Sequence, residues 1–583
     1  MNKEKLREVL LKETAAGDFI KAISEAWSDM REDRDDLARE IAAMHNEGMV
    51  DVVAEFTCLK KNVQNMPAFF PTRHVFEQAL PYLDAPIDAV MRCVVHLCRE
   101  AGQDLMAGSI LSGYIDFCVK DSCRPREALK LIEADFSALG DMLAATVAAG
   151  SRFDNSYYLS ELIRFTKHAD IKARRYAVFS LARIQWEKGA SVPDSAVVAM
   201  GKVFEEEVDD ILIAAAIKSA FALLEQDKAH EEQLIGQISG ALKRGGKNSL
   251  HAASELIMFN PHNLPSKLLQ LLIEHLKRVD SESIGTLDNI DYGVAKLIDR
   301  VDGEIGLSFL EQLLITHNGL ISVSDVFDSS FAKICENDKL LNKVATRWLM
   351  RGDRALCDAL SEVASARFRN GPRIEIDSSE LRACDYVHIV FTARKVIGYF
   401  FMQPLTAVSM VISLMHHASD DETLDYLSRL LFDPLLMNYP GSTRDYVKGL
   451  ASQESGKVKQ AIDSALASIE HYLETLHSVP VLPALHVSQS QRESYRRHTS
   501  EAMAKSMKAA EKKSLFSSLF ATSTLLYGNK SINYIYTATG EPNRMETPLS
   551  SHSFSMEFPR MDDVDPYGLN YMLRVFQLEQ LRV

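Results

Sequence analysis

Between residues 150 and about 365 the apolar residues recur three and four positions apart in short runs broken by polar turns, which is the pattern of amphipathic helices and not of strands. Two runs lie on one another at a shift of 40 residues: DIKARRYAVFSLARI from Asp170 to Ile184, and DILIAAAIKSAFALL from Asp210 to Leu224. Ile171 falls on Ile211, Ala177 on Ile217, Leu181 on Phe221 and Ile184 on Leu224. Asp170 and Asp210 stand where an N-cap side chain would accept the first unpaired amide hydrogens of each helix. Each run is preceded by another helical one, and the two-helix beat continues, with first helices starting near 157, 195, 231, 265, 304 and 338, a step of 34 to 39 residues. One helix pair cannot bury its own stripe, so each unit must cover its neighbour and the chain becomes a stack.

An Asp at the inter-helix turn with an Arg in the second helix, Asp170 with Arg174 or Arg175, resembles the HEAT repeat. The resemblance spans about 150–365 and more loosely about 70–475. It departs from the motif at the second copy, where Ala214 and Ala215 replace the Arg. What it implies is a fold: an all-α chain, a HEAT-like α-α superhelix. Fold does not fix function.

Composition agrees with a repeat array. At 583 residues the chain exceeds the ~250–300 at which a single core stops growing, and only 27 Gly and 18 Pro leave little for a turn-rich β protein. A formal charge of −15 disfavours nucleic acid or anionic membrane as the default partner. Cys58, Cys93, Cys98, Cys118, Cys123, Cys335, Cys357 and Cys384 are scattered through helical patterns, and the N-terminus is charged and amphipathic. Together these suggest free thiols in a reducing cytoplasm. The uncharged stretch Val396–Met415 is long enough to span a bilayer, but Gln403 and Pro404 divide it, predicting two buried helices with a turn between them and no membrane span.

The expected organisation is an N-terminal helical cap over 1–70, with Ser28 to Glu40 as its charged outer face, then a helical solenoid over 71–477 and a linker over 478–490. A C-terminal α+β appendage follows over 491–583. The appendage opens on a basic segment, Gln491 to Lys513, with Arg492, Arg496, Arg497, Lys505, Lys508, Lys512 and Lys513 against Glu493, Glu501 and Glu511, a net of +4. These cations are the candidate partner-binding residues. SINYIYTAT from Ser531 and SHSFSMEFP from Ser551 read as the two strands of a β-hairpin, with TGEPNRMETPLS as its loop, before a final helix.

No catalytic, cofactor or metal site is predicted. GALKRGGKNS, Gly240 to Ser249, has the wrong spacing for a phosphate loop, and Asn248 stands where a hydroxyl belongs, so it reads as a helix-to-helix turn. Cys93, His96 and Cys98 with Cys118 and Cys123 lack zinc-ligand spacing and read as buried thiols, while His416 and His417 diverge on a helix. The expected function is a non-catalytic cytoplasmic scaffold or adaptor that binds protein partners through the concave repeat surface and the C-terminal segment. Two alternatives stand beside it. One is a HEAT-like protein that binds or processes nucleic acid through Arg174, Arg175, Lys243, Arg244 and Lys247; the other is a regulatory subunit of a separately encoded enzyme.

Overall fold

The computed structural model describes residues 3–29, 34–61, 66–102, 104, 106–184, 186, 191–206, 209–300, 303–368, 371–381, 385–480, 487–514, 522–525, 530–536, 542–548 and 557–581. These residues are predominantly helical and compatible with a helical-repeat stack. The chain separates into two compact units, Met1–Lys333 and Ile334–Val583. The division falls inside the run that the sequence presents as one continuous array.

Four of the predicted first helices in the first unit are Asn155–Phe165, Asp194–Glu206, Glu231–Arg244 and Ser266–Leu276. The second helices are Ile171–Leu181, Asp210–Gln226, Lys247–Phe259 and Ile284–Ile298. Each second helix packs on the next second helix and each first helix on the next first, so two layers run through this part of the unit. The apolar positions matched at a shift of 40 are buried at Ala177, Leu181, Ile184, Ile217, Phe221 and Leu224, whereas Ile171 is half-buried and Ile211 is 48% exposed, on the side of its helix turned away from buried Leu212 and Ile213. Helices approach closely where side chains are small: a β-carbon on Gly293 would stand 2.5 Å from Ile257 Cγ2 of the neighbouring second helix.

Polar ties repeat with the same period as the apolar stripe. Arg175 to Asp209, Ser219 to the Val178 carbonyl, Arg278 to the Leu242 carbonyl, Lys296 to the Met258 carbonyl and Arg300 to the Pro261 carbonyl join residues 34 to 41 positions apart. A hydrogen bond at that separation links a repeat to its neighbour and to nothing else, so orphan helix-end carbonyls of one pair are satisfied by side chains of the next.

The second unit starts with helices Asp338–Arg351 and Arg354–Arg367. Pro372, Ile374 and Ile376 then alternate, buried, with exposed Arg373 and Glu375 in an extended segment. Its amides pair with side chains of two flanking helices: Ile374 with Ser409, Ile376 with Ser413 and Asp377 with Thr346. The apolar stretch resolves into Tyr386–Phe400 and Pro404–Met415, with Gln403 as the residue before the second helix and Pro404 in its first turn. No described helix is long and apolar enough to cross a membrane. Asp421–Leu430, Ser442–Ala451 and Gly456–Ser478 complete the helical part.

In the C-terminal appendage, strand Lys530–Tyr536 forms as expected but its partner differs. It lies between Thr522–Leu525 and Pro542–Pro548 in an antiparallel three-stranded sheet, with Asn533 opposite Met545. The segment read as the hairpin loop is therefore an edge strand. Backbone pairing does not require apolar alternation, and its two prolines sit at the ends of the strand, where a missing donor is tolerated. Of the predicted second strand, residues 551–556 lie outside the described residues, and 557–559 are not a strand.

Candidate functional site

The chemistry-bearing motifs are occupied by structural contacts. Asp209, not Asp210, caps helix Asp210–Gln226, accepting from the Leu212 amide at 2.8 Å, and its carboxylate also takes a two-pronged contact from Arg175 at 3.0 and 2.7 Å. Arg175 beside it holds the Asp209 carboxyl below the usual range. Asp210 instead reaches the turn of the next repeat, where it accepts from the amides of Gly246, Asn248 and Ser249 and from the Ser249 hydroxyl. Burial alone would raise the Asp210 carboxyl, but these hydrogen bonds outweigh it and hold the group below its ordinary value. The amides that a phosphate loop would offer to a phosphate thus already serve a carboxylate of the chain.

Of the cysteine and histidine cluster, Cys93 and Cys118 are buried as expected and Cys98 is half-buried, but Cys123 is exposed, since it opens helix Cys123–Ala134 at the surface. His96 Nε2 lies 2.8 Å from the Leu59 carbonyl and Cys98 Sγ 3.4 Å from the Ala107 carbonyl. Burial pushes the Cys93 and Cys118 thiols up to about 12. No three His, Cys, Asp or Glu side chains converge on a possible metal position among the described residues.

Of the cations proposed for nucleic acid, three tie repeats together: Arg175 to Asp209, Arg244 to the Glu205 carbonyl at 3.2 Å, and Lys247 to Asp280 at 2.9 Å. Lys243 lies in the last turn of its helix, one residue before Arg244. Arg174 donates to the His168 carbonyl at 3.2 Å and lines an open cleft with Lys167 and Lys202 over an apolar floor that includes Val198 and Val203.

The C-terminal appendage is rooted in the second unit at both ends. On the outgoing side, helix Gly456–Ser478 buries Ile462, Leu466 and Ile469, and Arg560 of the returning chain stacks over its Tyr472 at 5.8 Å. On the returning side, Glu557 accepts from the amides of Gly441 and Ser442 at the start of helix Ser442–Ala451, a carboxylate at the positive end of a helix. The amides of Arg560 and Met561 bond Asn438.

The final helix, Pro566–Leu578, lies on helix Tyr386–Phe400. Fully buried Lys395 donates from Nζ to the Gln577 carbonyl at 2.6 Å, satisfying an orphan carbonyl of the last turn. Burial pushes its ammonium below the ordinary lysine value. Gln577 Nε2 donates to the Gly398 carbonyl at 2.7 Å, and Arg394 pairs with Glu579 at 2.8 Å. Gly398 allows this approach, since a β-carbon there would meet the Gln577 nitrogen at 3.1 Å and Phe576 Cβ at 3.2 Å.

Between these roots stands the predicted basic segment, a helix from Gln489 to Lys513. A capping box starts it: the Ser488 hydroxyl accepts from the Gln491 amide and the Gln491 side chain accepts from the Ser488 amide. Every residue of this helix from Gln489 to Lys512 is exposed, including Tyr495 at 62%, Met503 at 63% and Met507 at 68%. The side chain of Lys513 lies outside the described residues. Arg492, Arg496, Arg497, Lys505, Lys508 and Lys512 are therefore brought together on one helix whose described residues are exposed.

No protein-family model matches the chain, and no curated protein matches it. Among solved structures it is similar to an engineered protein whose crystal structure comes from the Northeast Structural Genomics Consortium. The two are 15% identical, with 81% of this chain and 99% of that chain covered and a TM-score of 0.21. A likeness of that size carries no argument.

Proposed function

We propose that the chain is a non-catalytic cytoplasmic scaffold or adaptor, a HEAT-like α-α superhelix that binds protein partners through its repeat surface and its C-terminal arm. The observation that carries this reading is the arm. A helix of 25 residues with a net charge of +4 in an otherwise acidic chain leaves its described side chains exposed. An isolated polar helix gains little from its own hydrogen bonds, because helix stability in proteins comes mostly from packing. A surface that makes no packing contact within the chain is free to make one elsewhere. Occupation of the phosphate-loop amides by Asp210, and of His96 and Cys98 by backbone carbonyls, supports the non-catalytic part of the reading.

The test replaces residues 481–556 with a short Gly-Ser linker, which the nearness of Tyr472 to Arg560 permits. Affinity capture with the full chain and with the linker variant is expected to recover partners only with the full chain, at unchanged far-ultraviolet circular dichroism and melting. Identical partner sets overturn the reading. If a captured partner is an enzyme, its activity with and without this chain shows whether the scaffold regulates it. A second reading, contact with nucleic acid, draws on the cleft of Lys167, Arg174 and Lys202; a salt-dependent gel shift that disappears in a Lys167→Glu, Lys202→Glu variant would favour it.

A further inference from the structure

In the first unit the seam between two first helices opens. Helix Asn155–Phe165 packs less closely on Asp194–Glu206 than Asp194–Glu206 does on Glu231–Arg244, and the seam holds a cleft of about 640 Å³. Each wall carries an apolar residue and, four positions on, a lysine: Ile163 then Lys167, and Val198 then Lys202. Four residues make about one helical turn, so on each wall the lysine stands one turn beyond the apolar side chain. First helices of successive repeats run in the same direction, as Gln237 on the Val197 carbonyl and Arg244 on the Glu205 carbonyl show for the next pair, so the two lysines share one end of the cleft. Arg174 joins them there, since its Nη1 donates to the carbonyl of His168, the residue after Lys167. One end is therefore cationic, and the other is an apolar floor of Ile163, Val198 and Ala199.

This end stands out in an acidic chain. Lys218, Lys247 and Lys267 of the same array are each matched to a carboxylate, Glu255, Asp280 and Glu232. Exposed Lys167 and Lys202 have no such match among the described residues. The apolar end is equally uncovered: Val198 is 48% exposed on a helix that buries Val197, Met200 and Val203. Among the described residues that line the cleft there is no carboxylate and no aromatic ring. A nucleic-acid strand would find no ring on which to stack a base, and its successive phosphates would carry charge onto the apolar end. A ligand that fits both ends has one anionic group and, beside it, one apolar group.

We infer that this cleft takes an acidic segment of a partner protein, with a carboxylate at Lys167, Arg174 and Lys202 and an apolar side chain on Ile163, Val198 and Ala199. The inference rests on the reading of the repeat surface as protein-binding and names the chemistry of what it binds. The two ends lie about 5.4 Å apart along the helices. The carboxylate and the apolar residue of the segment therefore stand about one turn apart in a helix, or about two residues apart in an extended chain. Charge complementarity selects the acidic group and cover of Val198 adds the apolar one.

Selection of displayed random peptides on the immobilised full chain tests this. Enriched sequences are expected to carry Asp or Glu at one of those spacings from Leu, Ile, Val or Phe. Fluorescence anisotropy with the most enriched peptide is expected to show binding weakened about tenfold or more by Lys167→Glu with Lys202→Glu, and likewise by Val198→Asp. Lys167→Arg with Lys202→Arg is expected to keep binding, which separates a lost charge from a lost fold. All three positions are exposed, so the variants are expected to melt as the unaltered chain does. Enriched peptides without an acidic residue, or binding indifferent to both the reversed lysines and Val198→Asp, overturn the inference and leave the scaffold reading standing. Absence of any enriched peptide overturns it too, and the scaffold reading falls with it only if affinity capture with the full chain recovers no protein. A labelled oligonucleotide whose salt-dependent binding disappears in the lysine-reversed variant, with no acidic peptide doing so, replaces it with the nucleic-acid reading.

Discussion

Asp210 links one repeat to the next through a single carboxylate. Its four hydrogen bonds reach the turn that starts helix Lys247–Phe259, so Asp210→Ala leaves three amides and a hydroxyl of the neighbouring repeat without their acceptor. Losing such a cap costs about 1 to 3 kcal/mol, read as a fall of several degrees in Tm. Because the Asp210 carboxyl is held below its ordinary value in the fold, its contribution is present above the unfolded carboxylate value of about 3.9 and lost as pH falls through the lower, folded one. Acid titration of Tm is therefore expected to be flatter in Asp210→Asn than in the unaltered chain; parallel curves would contradict this. The thiols give a second check at this scale. Cys58 and Cys123 are exposed, whereas Cys93, Cys118 and Cys357 are buried with thiols pushed up to about 12. Iodoacetamide on the native protein is expected to label the first two and to reach the buried three only after unfolding.

At the scale of elements, helices were legible wherever a stripe of one period ran through a short segment. The predicted start near 231 is Glu231, and that near 304 is Glu304. The cap at Asp170 forms as read, but the neighbouring pair Asp209 and Asp210 could not be separated by pattern alone, since either side chain can serve and only the position of the next turn decides. The extended segment at Ile374 and Ile376 alternates in the sequence, yet it is short and pairs with Ser and Thr side chains and not with another strand. Docking of the final helix was beyond reach of local pattern, because Lys395 and Gln577 are 182 residues apart. That docking predicts its own failure point. Gly398→Leu should push Phe576 and Gln577 away and raise amide exchange in 566–578, while helices Asp421–Leu430 and Gly456–Ser478 keep their protection. Unchanged exchange in the final helix would show that the glycine does not govern the contact.

At the scale of the molecule, the period of about 40 residues carried the fold class, because the same separation governs both the apolar stripe and the polar ties. The division at Lys333 and Ile334 was not legible, since helix patterning continues across it. The cations of the arm were found by composition; their isolation from the body was not, because exposure depends on what the rest of the chain leaves uncovered. Neighbouring repeats of the first unit stack in sequence, and the described residues of the arm helix are exposed. Carbodiimide cross-linking of a dilute sample, mapped by mass spectrometry, tests both parts at once, since it joins ammonium and carboxylate groups already in contact. The predicted products in the repeat region are Lys218 with Glu255, Lys267 with Glu232 and Lys247 with Asp280, while Lys505, Lys508 and Lys512 form none with their own body. Links that skip a repeat between 150 and 333, or links from those arm lysines to the body of the same chain, would contradict it.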